Sequence, residues 1–179
     1  PLGRSRLRWE LAGFELWFVR HLKEKPPWRR LGRWLDELAR TVADHPRKVC
    51  HRDYHFNNLL LQPDGDIGVI DIQDILVGPD TYDVVSLIAE RAAARLISRT
   101  DRSSVLESWA ERTHASSGWR DRAQVVRLQR GLKVLGTFAR FTVAGRTEYR
   151  DWLSELARAI AAPARELGAD SDLVALLLD

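Results

Sequence analysis

The chain has 179 residues, of which 45% are hydrophobic and 30% charged, a balance that suits a folded domain with a core and argues against general disorder. The formal charge is only +3 and the arginines are interleaved with carboxylates, so a mixed solvated surface is expected rather than a nucleic-acid-binding stripe. Cys50 is the only cysteine, no apolar run approaches the roughly 20 residues of a membrane span and no signal peptide is visible. These features argue against an internal disulfide, a multi-cysteine zinc site and a membrane partner, and the expected compartment is the cytoplasm.

Taken in chain order, Leu7, Leu11, Phe14, Phe18 and Leu22 recur at three- and four-residue intervals and predict a first helix, stopped by Pro26-Pro27. Leu31, Trp34, Leu35, Leu38 and Val42 repeat the rhythm before Pro46, giving a second. Trp9, Trp17, Trp28 and Trp34 are expected in core or interface packing. Residues 48 to 72 change character: short apolar runs flank Pro63-Asp64-Gly65, followed by Ile67, Val69 and Ile70, which reads as strand, turn and strand. After Gly78-Pro79 the helical period returns with Val85, Ile88, Ala92 and Leu96 on one face. A shorter helix is expected around Val105 and Trp109, a long one from about Trp119 to Phe141, and two more over residues 149–167 and 173–178. The expected fold is mainly α with a small β-hairpin, an α+β body forming one domain over residues 1–179.

The chemistry concentrates in residues 50–74, CHRDYHFNNLLLQPDGDIGVIDIQD. Asp64-Gly65 between apolar runs signals a tight hairpin turn. With a two-residue loop, Gln62 faces Ile67, Leu60 faces Val69 and Asn58 faces Asp71. An amide oxygen and a carboxylate would then emerge on one face with Cβ atoms about 5 Å apart. Two hard oxygen ligands suit Mg²⁺, which leaves its other positions to water and phosphate. Asp53, five residues before Asn58, can reach the same pocket as the base for an acceptor hydroxyl. This division of labour is that of phosphoryl transfer. Asp64 and Asp66 read as a solvated turn, and Cys50 as a small packed residue. A zinc reading of His51 and His55 would need both on a helix with a glutamate between them. The β-favouring Lys48-Val49-Cys50 and the hairpin oppose it. His51 is instead expected to be buried, bonding to nearby backbone and shaping the loop, with His55 lining the pocket.

His51-Arg52-Asp53, Asn58 and Ile70-Asp71 together resemble the catalytic and metal-binding loops of protein-kinase-like enzymes. Because Ile72-Gln73 follow Asp71, the pattern is similar to the aminoglycoside phosphotransferase and choline kinase group. HRDYHFNNLLL, GVIDIQDILVGPDTYDVVSL and LQRGLKVLGTFAR resemble bacterial kinases that phosphorylate the anomeric hydroxyl of N-acetylmuramate or N-acetylglucosamine in cell-wall recycling. The resemblance runs from about Trp9 to Leu156. It implies Asp53 as catalytic base, Asn58 and Asp71 as Mg²⁺ ligands, and Asp83 as a carboxylate supporting the catalytic loop. Read without it, Asp83 is a helix-N-terminal charge. The resemblance also puts Gln73 and Asp74 on the sugar side of the pocket. Arg52 stands where the aminoglycoside enzymes commonly carry glycine, which weakens an antibiotic-directed reading.

Such kinases place a nucleotide-binding lobe, with a glycine-rich cover and a strand lysine, before the catalytic loop. The 50 residues ahead of His51 read as two helices, and the chain contains no methionine. The expectation is therefore the C-terminal helical lobe of a protein-kinase-like fold, with the N-terminal lobe absent and weak or no activity alone. Its implied partners are Mg²⁺, ATP or GTP, a small sugar substrate, the missing lobe, and a second copy through the uncovered lobe interface. Kinases for other hydroxyl compounds, such as an aminoglycoside, choline or homoserine, remain open, as does a non-catalytic binding module.

Overall fold

The computed structural model describes residues 1–26 and 28–179, with the side chains of residues 91, 92 and 94 left aside. Pro27, expected to help end the first helix, lies outside the described residues, as does the side chain of Ala92. The chain is mostly helical with small antiparallel sheets. It divides into two bodies: residues 1–2 with 45–127, and residues 3–44 with 128–179.

The second body is helical throughout. It holds α1 (Arg4–Gly13), a π-helical continuation (Phe14–Leu22) and α2 (Arg29–Ala43). The later part of α6 (Trp119–Val143), α7 (Arg150–Glu166) and α8 (Ser171–Leu178) complete it. Of the apolar positions expected on the first two helices, Leu7, Leu11, Phe14, Phe18, Leu31, Leu35, Leu38 and Val42 are buried, while Leu22 and Trp34 are half-buried. They meet each other because a 3.6-residue period lines one face, and each full burial contributes about 1.5–3 kcal/mol. From α6, Leu128, Leu132 and Leu135 join this core, as do Ile160 from α7 and Leu173 and Leu177 from α8. Gly136 is required by close approach, since a Cβ there would run into the Gly13–Phe14 peptide. Glu10, a buried charge in this core, is compensated: its carboxylate accepts from Gln129 Nε2 at 3.1 Å and lies 3.7 Å from Lys133 Nζ.

The expected tryptophan packing holds only in part. Trp28 Nε1 donates to Asp170 Oδ2 and Trp34 Nε1 to the Leu167 carbonyl, which ties α2 to the α7–α8 region. Trp9, by contrast, is 74% exposed, so the cluster is not a common core.

The first body carries the short strands. β1 (Arg47–Cys50) pairs antiparallel with β4 (Leu76–Pro79), and β2 (Leu59–Leu61) with β3 (Ile67–Val69). β4 went unforeseen because four residues ending in Gly-Pro carry little strand signal. Leu2 completes this sheet, donating its N–H to the Val77 carbonyl at 2.8 Å. The helices are α3 (Tyr82–Ala89), α4 (Arg91–Leu96), α5 (Arg99–Arg112) and the start of α6. The single helix expected over Val85 to Leu96 breaks at Glu90, whose backbone is extended. Among the described residues no helix is long and apolar enough to cross a membrane.

Candidate active site

The loop between β1 and β2 is fixed at both ends by carboxylates. At its start, Asp83 in the first turn of α3 accepts the His51 N–H on Oδ2 at 2.6 Å and the Arg52 N–H on Oδ1 at 2.9 Å. At its far end, the Phe56 N–H donates to Glu90 Oε2 at 2.9 Å. Glu90 was missed in the sequence because its position after α3 depends on a helix break that apolar periodicity does not announce. All three bonds run from a backbone N–H to a carboxylate oxygen, the stronger class of hydrogen bond.

Within the loop, Asn58 Nδ2 donates to the Asp53 carbonyl at 2.9 Å, and Asn58 is buried. This bond uses one N–H of the amide, fixes its orientation and leaves Oδ1 as the acceptor. His51 is buried, and its Nε2 sits 2.8 Å from the Ile70 carbonyl. A carbonyl can only accept, so Nε2 carries the proton and the ring is pinned between loop and hairpin. His51 and Tyr54 also pack edge to face at 5.9 Å. The Asp53 carboxylate is half-buried and has no hydrogen-bond partner among the described residues.

The expected hairpin register is corrected by one residue. Leu59 faces Val69, Leu60 faces Gly68 and Leu61 faces Ile67, while the Ile70 N–H reaches the Asn58 carbonyl at 3.1 Å. The cause is the turn. Gln62 bonds to both Gly65 and Asp66 and Gly65 has φ +90°, so the loop has three residues and a glycine bulge instead of two residues. Asn58 therefore lies opposite Ile70, not Asp71. Asp71 takes a left-handed conformation (φ 64°, ψ 47°) immediately after the hairpin, which re-aims its exposed carboxylate by backbone geometry rather than by strand alternation. Asp64 and Asp66 are exposed turn residues, with Asp64 Oδ1 accepting the Asp66 N–H.

The remaining expected site residues are more peripheral. His55 is half-buried at the start of a short 3₁₀ turn, and Gln73 is exposed in another over Ile72–Asp74. Asp74 pairs with Arg52 at 3.7 Å. Arg52 is itself buried and held at φ 77°, a left-handed backbone that favours glycine. His51 and His55 lie in loop, not helix, and no cluster of three or more metal-binding His, Cys, Asp or Glu side chains occurs among the described residues. Cys50 is buried against the Pro79 carbonyl, and burial, reinforced by the Asp83 charge, pushes its thiol up to about 12. It is a packed thiol rather than a nucleophile.

The donor set suits a hard cation. Asn58 offers a fixed neutral oxygen, and Asp71 offers an exposed carboxylate on the residue after its backbone partner Ile70. Mg²⁺ binds proteins through one or two such ligands and takes the rest from phosphate and water, so no larger cage is needed.

The family model described as "Phosphotransferase enzyme family" matches residues 1–125, and the chain belongs to that family. The chain is similar to the N-acetylmuramate/N-acetylglucosamine kinase of Pseudomonas aeruginosa, 34% identical over 145 residues, covering 75% of this chain and 42% of that protein. It is similar to the proteins of the same name from Pseudomonas putida, 30% identical over 148 residues with the same coverage, and from Neisseria meningitidis serogroup B. The latter match is 35% identical over 94 residues, covering 49% of this chain and 27% of the relative. The chain thus spans less than half the length of the curated relatives it matches.

Proposed function

We propose that this chain supplies the acceptor-activating and metal-binding lobe of a small-molecule kinase that transfers a phosphoryl group from Mg-ATP to the anomeric hydroxyl of an amino sugar, N-acetylmuramate or N-acetylglucosamine. The observation that carries the reading is the doubly anchored loop. Asp83 holds its start, Asn58 bonds the Asp53 carbonyl, and the Asp53 carboxylate is left without a competing partner among the described residues. Asp53 would orient the acceptor hydroxyl and take its proton, Asn58 Oδ1 and Asp71 would hold Mg²⁺, and His51 and Asp83 would keep the loop in place. The cation, when bound, would neutralise the charge of the transferring phosphate. His55, Gln73 and Asp74 would face the sugar. The names of the relatives support the amino-sugar assignment.

The nucleotide-binding lobe would come from outside this stretch of chain. Leu60, Leu61, Ile67, Val69 and Ile70 of the hairpin are 41–79% exposed, an apolar surface suited to cover by such a lobe and its nucleotide, and to self-association when uncovered. A cytoplasmic location follows from the nucleotide requirement and agrees with the single reduced, buried thiol. The test is ³¹P NMR of Mg-ATP with amino sugars, aminoglycosides, choline and homoserine, run on this chain and on a chain extended with a nucleotide lobe. Sugar 1-phosphate formed by the extended chain supports the reading. Phosphorylation of another acceptor replaces the sugar, and silence from a folded extended chain overturns phosphoryl transfer itself.

A further inference from the structure

A concave feature lies on the face of α3 away from Asp83. A cleft of about 490 Å³ opens between α3, α5 and the start of α6, lined among others by Ile88, Leu106, Arg99, Arg102 and Arg127. Its α3 wall is built by Val85, Ile88 and Ala89. At 100° per residue these positions centre roughly 180° around the helix from Asp83, the residue that grips the catalytic loop. The cleft therefore belongs to a different face and not to the candidate active site. Its size falls within the range of small-molecule sites, about 300–1,000 Å³.

The charge in this cleft is one-sided. Four arginines, Arg99, Arg102, Arg120 and Arg127, meet one glutamate, Glu107. Glu107 is already committed: Arg120 makes a forked pair with it at 2.6 and 2.7 Å, and the same guanidinium lies over the Trp119 ring at 4.5 Å. The guanidinium groups of Arg99, Arg102 and Arg127 have no hydrogen bond or ion pair among the described residues. Nor does the helix end relieve them, because Arg99 and Arg102 sit at the start of α5, where the macrodipole already disfavours cations. The Asp101 carboxylate in the same turn is bonded by the Ser98 hydroxyl at 2.7 Å.

Desolvation by the cleft, and then repulsion from Arg102 and Arg99, pulls the Arg127 pKa down from its ordinary value. Arg127 still exposes much of its surface, so an anion can reach it. Like charges held together without a counter-ion are a cost that a bound anion removes. Guanidinium groups match phosphate oxygens in geometry as well as charge. The half-buried Ile88 and Leu106 supply an apolar wall beside them.

We propose that this cleft binds a phosphorylated small molecule, its phosphate gripped by Arg99, Arg102 and Arg127 and its remaining part resting on the Ile88 and Leu106 side. A concave pocket with an apolar wall fits such a ligand better than a nucleic-acid backbone, which calls for an extended basic stripe. The inference is independent of the phosphoryl-transfer reading, since none of these residues makes a hydrogen bond or ion pair with the catalytic loop among the described residues.

The test is titration of the chain with inorganic pyrophosphate in magnesium-free buffer of low ionic strength, followed by ³¹P NMR and calorimetry. The expected result is saturable binding that Arg102→Gln and Arg127→Gln each weaken by about tenfold, with unchanged circular dichroism, and that Asp53→Asn leaves as it was. Binding that survives the double substitution would place the anion elsewhere and overturn the proposal. So would the absence of binding by the folded wild-type chain up to about 10 mM, far above the range of a specific phosphate site.

Discussion

The helical body and the catalytic loop with its hairpin are held by different forces. In residues 3–44 and 128–179, large side chains such as Phe14, Leu35, Leu132 and Ile160 are fully buried, and position follows from packing. In the loop and hairpin of residues 51–74, most apolar side chains lie open, with Leu61 at 79% and Ile67 at 62% exposure. Position there follows from a few bonds: Asp83 to two N–H groups, Glu90 to one, Asn58 to the Asp53 carbonyl and His51 to the Ile70 carbonyl. Packing energy is spread over many contacts and tolerates small changes, whereas a bond network concentrates the effect of a single atom. The site has therefore been placed where geometry can be set atom by atom, and the helical body where stability can be accumulated.

That contrast predicts that the largest effect on activity comes with almost none on stability. Asp53→Asn removes a carboxylate that supports no other group among the described residues, so phosphoryl transfer by the chain extended with a nucleotide lobe should fall by about 10²–10⁴-fold with an unchanged urea midpoint; a parallel loss of stability would make Asp53 structural. Asp83→Ala should affect both. It orphans two backbone N–H groups that now meet an ionised acceptor, a cost of about 2–3 kcal/mol, visible as faster hydrogen exchange at His51 and Arg52 before any global change. In the helical body, Gly136→Ala forces a Cβ into the Gly13–Phe14 peptide and should cost about 2 kcal/mol in denaturant titration. Transfer should survive it wherever the protein remains folded.

The same contrast explains what could be read from the sequence. The helices were legible because burial repeats every three to four residues: Leu7 to Phe18 and Leu31 to Val42 are buried where expected. Residues 50–74 were legible as chemistry but not as geometry. A two-residue and a three-residue loop both satisfy Pro63-Asp64-Gly65, and the difference is decided by the positive φ of Gly65 and its bond to Gln62. The left-handed turn at Asp71 and the bond from Phe56 to Glu90 are tertiary in origin, so no local pattern carries them. The arginine cleft was hidden for the same reason, because Arg99 and Arg127 are brought together only by the packing of α5 beside α6.

The smallest predicted effect tests the comparison most finely. Arg52 holds φ 77°, where an L-residue costs about 1–2 kcal/mol. Replacing Arg52 by glycine or by alanine removes the same buried guanidinium and the same 3.7 Å pair with the exposed Asp74, so those losses cancel between the two variants. What differs is the backbone. Glycine releases the left-handed strain but loses about 0.4–1 kcal/mol to the entropy of its unfolded chain. Arg52→Gly should therefore be more stable than Arg52→Ala by about 0.5–1 kcal/mol, measured as paired urea midpoints. If Asp83 imposes the conformation through its bonds to the His51 and Arg52 N–H groups, the gap should close when both variants are remade with Asp83→Ala, because the loop is then free to relax. A gap that persists without Asp83 would mean that the turn is intrinsic to the strand end, and that the loop owes less to its carboxylate anchor than the hydrogen bonds imply.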